Sequence, residues 1–182
     1  MKPRSALALG ATAIVGAALV TGNAFATPTT GVTTTILAKS TFGSTQLTGF
    51  ADTDNDKGND KGWFPKHNDD DWGVFLKTHG LTDGYVVDNV IAPGGTTGWH
   101  SHPGPSIIFV VRGTVTNYDS DVPACAGADY TTGSSLTDPG GTDVHMLKNN
   151  GTVEAETIAV QFLPTGAIRK IDELAPSGCP AS

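Results

Sequence analysis

Two cysteines, a shortage of basic residues and, past the first 20 positions, no long apolar run and no helical periodicity mark this sequence. Each absence excludes something. Only 11 Lys and Arg stand against 18 Asp and Glu, a formal net charge of −7. A surface of that sign is a poor partner for nucleic acid or anionic lipid. No segment after the N-terminal run is apolar enough to form a spanning helix. No stretch there sustains a 3.6-residue apolar repeat, which argues against a helical core. Neither cysteine, Cys125 nor Cys179, sits in a spacing typical of a cysteine metal site.

What is present begins with a targeting pattern. Lys2 and Arg4 precede an apolar run from Ala6 to Val20, and Ala24-Phe25-Ala26 follows. A basic start, a short apolar segment and a small-x-small site together predict a secretory signal peptide over residues 1–26, cleaved after Ala26. There is no twin arginine, so the general secretory route is expected, with a secreted, extracellular or periplasmic product. Losing Lys2 and Arg4 and no acid moves the formal charge from −7 to −9. The remainder is one domain by size and long enough to bury a core. In an oxidising compartment the cysteine pair reads as a disulfide, Cys125–Cys179, which would tie the C-terminal tail (176–182) to the loop around Val122 to Gly127. The alternative is that a cysteine ligates a metal.

Gly and Pro total 34 of 182 residues, and short β-prone runs recur between them. That predicts an all-β sandwich or barrel. Residues 27–35 read as a flexible lead-in, and Ile36 to Phe50 as one or two short strands. Asp52 to Gly62 alternates Asp and Asn as a calcium loop does. It carries Lys57 and Trp63 where that loop needs Gly and a bidentate Glu, so it reads as a solvated loop. His67 and His79 read as surface and loop residues. Residues 27–69 therefore form an N-terminal segment of strands and polar loop, followed by a barrel over 70–175. Strands are expected at Trp72 to Lys77, Tyr85 to Ala92, Ile107 to Val111, Thr114 to Tyr118, Val144 to Leu147 and Val153 to Leu163. Asp119 to Gly133 reads as a long loop, and Asn149-Asn150-Gly151 is a hairpin signal.

Chemistry concentrates in Gly94 to Asp119, GGTTGWHSHPGPSIIFVVRGTVTNYD. His100 and His102 are two apart, and in extended chain residues i and i+2 face the same way. Two imidazoles aimed into one space are the start of a transition-metal site. Gly94, His100, His102 and Gly113 also match the first motif of the cupin superfamily in spacing. Gly133, Pro139, Gly141, His145 and Asn149 match the second, with one extra residue before His145. The chain thus resembles a small, secreted, single-domain bacterial cupin of the conserved-barrel type. The resemblance implies a cupin-type antiparallel β-barrel (a double-stranded β-helix, or jelly roll). It also implies His100, His102 and His145 as ligands of a divalent transition metal, Zn, Cu, Ni, Fe or Mn. Where the motif carries a Glu, the anionic fourth ligand, this chain has Ser106. Some cupins, the thiol dioxygenases among them, work with three histidines alone.

Three functions follow from that resemblance. One is a metal-dependent oxidoreductase of dioxygenase type acting on a small molecule. The second is a non-catalytic small-molecule-binding barrel. The third is a metal-dependent isomerase or lyase, for which Glu154 and Glu156 are the nearest general-base candidates. Trp99, Ser106, Phe109 and Gln161 are candidate pocket residues, the core being the favoured place for Trp99 and Phe109. The expected partner is a small-molecule ligand or substrate, with no nucleic acid and, after cleavage, no membrane. A homodimer is left open.

Overall fold

The computed structural model describes residues 26–51 and 72–181. The signal-peptide pattern, the Asp/Asn loop and His67 lie outside those residues. Among these residues twelve strands run β1 Thr30–Phe42, β2 Gln46–Ala51, β3 Trp72–Lys77, β4 Thr82–Thr96, β5 His100–Ser101 and β6 Ser106–Arg112. They continue with β7 Thr114–Asp119, β8 Ala128–Thr131, β9 Ser135–Asp138, β10 His145–Lys148, β11 Ala155–Pro164 and β12 Ile171–Asp172. Among the described residues the only helix is a 3-10 turn, Pro123–Cys125.

All pairing is antiparallel. One face of the barrel is ordered β1-β4-β11-β6-β9 and the other β12-β5-β10-β7-β8, and the two meet where Thr96 of β4 pairs with Lys148 of β10. This is the expected jelly-roll barrel, nearly closed. The strands β2 and β3 form a separate two-stranded sheet. Strand β4 is the spine. It pairs with β1 on one side and β11 on the other over most of its length, then turns through Pro93-Gly94-Gly95 to reach the second face.

Inward side chains alternate strictly on β6 and β11, where Ile108 and Val110 meet Ala155, Ala159 and Leu163. With Tyr85, Val87, Ile91, Val115, Leu136 and Leu147 they form the main core inside the barrel. A second cluster packs Trp99 and Met146 against Cys125, with Tyr118, Val144, Ala175 and Cys179 around them. Both sides of β10 are therefore buried: His145 and Leu147 one way, Met146 the other. The Cys125–Cys179 disulfide is formed, with Cα atoms 5.3 Å apart, in the ordinary range for such a bridge. No metal is needed to explain either cysteine.

Three local expectations are corrected. Residues 30–35 are not a lead-in but the first half of β1, Val32 to Thr35 pairing with Ile91 to Asp88 of β4 and Thr30, past a register shift, with Thr96. For the same reason the barrel sheet begins with β1 rather than at residue 70. Asn149-Asn150-Gly151 is not a hairpin, since β10 and β11 do not pair with each other. Asn149 instead clasps the connection, its Nδ2 donating to Ile91 O (2.9 Å) and Val153 O (2.7 Å) while its Oδ1 accepts from Gly151 N.

Asp83 fastens β1 to the spine. Its carboxylate accepts from Thr41 Oγ1 (2.5 Å) and Thr165 Oγ1 (3.2 Å) and lies 3.0 Å from Lys39 Nζ. The Thr41 hydroxyl, then Lys39, hold its pKa at about 2, below the ordinary 3.8. A carboxyl more acidic in the folded than in the unfolded chain stabilises above its unfolded pKa. That contribution is complete above about pH 4 and is lost as pH falls through about 2. Melting temperature should drop across that window in the parent, and less steeply in Asp83→Asn. Equal slopes would contradict the assignment.

Candidate metal centre

Strand β5 is only two residues long, held between β10 and β12 by the pairs His145–His100 and Asp172–His100. That register sets His100 directly across from His145. The chain continues extended to His102, whose carbonyl accepts from Gly141 N at 2.7 Å. All three histidines are buried, and their ring nitrogens lie within 4.8 Å of one another. The expected triad is brought together.

Hydrogen bonds fix which nitrogen faces the centre. His100 Nδ1–H donates to Gly98 O (2.8 Å) and His102 Nδ1–H to Arg169 O (2.5 Å). The Nε2 lone pairs are then free, as outer contacts of this kind arrange in metal-binding imidazoles. His100 Nε2 and His145 Nε2 stand 3.2 Å apart. With His100 Nε2 an acceptor, that contact is a hydrogen bond when His145 carries its proton on Nε2, and a cation takes that proton's place when both lone pairs face the centre. Burial lowers the pKa of all three rings, His100 to well below 6.5 and His145 to about 4, with the neighbouring histidines adding to the effect on those two. At neutral pH the rings are uncharged, the form that binds metal. Donor type, protonation and spacing all fit a transition-metal ion.

A carboxylate lies beside two of the rings. Asp138, at the end of β9, is 1% exposed, and its Oδ2 lies 3.7 Å from His102 Nε2 and 3.9 Å from His145 Nε2. Asp138 precedes the motif's Pro139 and matches no motif position, so linear spacing does not single it out. The signal that finds it is register: Asp138 pairs across β6–β9 with Ser106, the position where the motif's Glu is missing. Asp143 lies beside it, its carboxyl pushed up to about 6 by burial and by the charges of Asp119 and Asp138.

Beside the triad is a cavity of about 50 Å³ lined by His100, His102, Gln161 and Arg169, with Thr34 and Asn89 from β1 and β4. Gln161 donates to Ser106 Oγ (2.9 Å) and accepts from Arg169 Nη1 (3.1 Å). Ser106 is thereby occupied with Gln161 rather than offered to a metal. Arg169 has no carboxylate partner among the described residues, and burial lowers its pKa. The other two pocket candidates lie elsewhere, Trp99 in the core as favoured and Phe109 in neither expected place. Phe109 is 44% exposed on the outer side of β6, and Ile108 occupies the inward position. Trp99 is fully buried in the second core cluster, its Nε1 donating to Pro180 O (2.8 Å). Glu154 and Glu156 lie outside the barrel, paired to Arg112 Nη2 at 2.7 and 2.9 Å, so neither is a base for this cavity.

Residues 89–161 match the cupin domain family. That span contains both motifs and all three histidines. No curated protein sequence matches the chain. Among solved structures it is similar to an oxalate oxidase, at 23% identity and a TM-score of 0.39, covering 43% of this chain and 41% of that one. It is similar to a polyketide cyclase from Streptomyces resistomycificus, at 15% identity and a TM-score of 0.43, covering 52% of this chain and 63% of that one. A cupin-like protein from Thermotoga maritima is 24% identical with a TM-score of 0.43, covering 50% and 65% of the two chains. The chain thus spans less than two thirds of each of these relatives.

Proposed function

We propose that this chain is an exported cupin that binds one divalent transition metal through His100, His102 and His145 and acts as an oxidoreductase on a small anionic molecule. The observation that carries the proposal is the pair of neutral Nε2 atoms, on His100 and His145, 3.2 Å apart in a buried group with His102. A metal held there would supply Lewis acidity and, if redox-active, a route for electrons to or from dioxygen. The chain's own residues do the rest. The carbonyls of Gly98 and Arg169 hold the rings in the ligating tautomer. Arg169, fixed by Gln161, places a positive charge on the cavity wall next to His100 and His102. A carboxylate or similar anion is the ligand such a wall selects, and the cavity's size limits it to a few heavy atoms.

Export supports copper, nickel or zinc by availability. The N-terminal pattern supports export, and the Cys125–Cys179 bridge agrees with an oxidising location. The isomerase or lyase reading loses its general-base candidates, since Glu154 and Glu156 face solvent. The test is oxygen consumption by the metal-loaded protein with a panel of small mono- and dicarboxylates. Metal-dependent uptake with one of them is expected. Tight binding of a carboxylate without turnover by any loaded form would overturn the oxidoreductase reading in favour of a binding barrel.

A further inference from the structure

The geometry points to Asp138 as a fourth, anionic metal ligand, donated from β9 in place of the glutamate missing from β6. Asp138 Oδ1 accepts from Gly140 N at 2.7 Å, Oδ2 is buried with no partner at ordinary hydrogen-bond distance, and the Asp143 carboxyl is the one neighbour within reach of the same carboxylate. Leaving a buried charged oxygen unpaired is costly, so it calls for a counterpart. The nearest ring nitrogens are His102 Nε2 and His145 Nε2, 3.7 and 3.9 Å away. Ligands about 2.0–2.2 Å from a common ion stand roughly 3.0–3.5 Å from one another, so His102 and His145 need only small movements, while His100, which does not join this carboxylate within 4.8 Å, must draw in further.

The position follows from the sheet. Ser106 and Asp138 are cross-strand partners, so their inward side chains enter the barrel side by side. A carboxylate lost from one strand is thus restored from its neighbour. The approach is held by two glycines in contact. Gly140 sits at φ +71, and a Cβ there would run into the backbone of Gly104. The close crossing lets the turn after Asp138 fold back against the segment that follows His102. A three-nitrogen, one-oxygen anionic shell accepts harder ions than three imidazoles do, manganese and ferrous iron included. This inference rests on the three-histidine reading, and it changes which metals that centre takes.

The test compares Mn²⁺ and Zn²⁺ binding by the full protein with that of Asp138→Asn, an isosteric change, and of Asp143→Asn. In Asp138→Asn, Mn²⁺ affinity should fall by more than the roughly 10–100-fold that loss of an outer hydrogen-bond partner costs, with Zn²⁺ less affected. The Mn²⁺ resonance spectrum of the parent should differ from that of any residual Mn²⁺ in the variant. Unchanged Mn²⁺ affinity in Asp138→Asn, or a loss confined to Asp143→Asn, would overturn the assignment while leaving the histidine centre standing. A parent that binds no metal at all would overturn both. Should Asp138→Asn fail to fold, crystals of the metal-loaded parent decide: Oδ2 at about 2.0–2.2 Å from the ion supports ligation, and beyond about 3 Å refutes it.

Discussion

His102→Ala should reduce bound metal from about one ion per chain to a small fraction while the barrel stays folded. The ring is buried in the centre but outside the apolar core, and its one other bond is Nδ1–H to Arg169 O. Removing it takes away one of the three ring nitrogens, and the two imidazoles and the Asp138 oxygen that remain hold the ion too weakly to keep it at trace concentration. Binding to the folded state alone stabilises by about 2.7 kcal/mol at a free metal concentration of about 100 times Kd. The parent should therefore melt higher with metal than with chelator, and the variant should melt at one temperature in both. Circular dichroism would confirm an unchanged strand content. Stoichiometric metal retained by His102→Ala would remove this residue from the site.

Trp99→Ala should cost about 3–5 kcal/mol of stability, the range for deleting a fully buried large aromatic side chain. The indole is completely buried between β5 and the tail, packed with Met146 and the Cys125–Cys179 bridge. Its Nε1 bond to Pro180 O ties the tail to the strand that carries His100. The disulfide keeps the tail attached, so the oxidised variant should still fold, with the loss larger under reducing conditions. Urea unfolding with and without reductant measures both. A loss under about 1 kcal/mol, the size of an average substitution, would mean this packing contributes little. Because Trp99 adjoins His100, weaker metal binding should accompany the loss of stability.

Much of the centre was legible in the sequence because alternation converts spacing into direction. His100 and His102 face one way, and the second motif brings His145 opposite His100. What alternation could not give was phase within an all-apolar strand. Ile107, Ile108, Phe109, Val110 and Val111 offer no polar residue to mark the outside, so Phe109 passed for a pocket residue while Ile108 points inward. Strand β1 was hidden for the opposite reason. Nearly every residue of it is exposed, so it lacks a hydrophobic stripe, and only pairing with β4 reveals it. Trp99 belongs to a cluster that exists only once the disulfide-bound tail folds over the strands. Asp138 was invisible for a related reason: its link to Ser106 is a cross-strand register 32 residues apart in the chain. Linear motifs do not record such pairs.

Three buried, neutral histidines are proposed to hold one transition-metal ion. Elemental analysis of the protein, purified without a polyhistidine tag and without added metal, tests it most directly. Close to one transition-metal ion per chain is the expected result, and its identity then selects the substrates to assay. No metal, even after incubation with Zn, Cu, Ni, Mn and ferrous ions, would contradict the account and make the barrel a metal-free ligand binder.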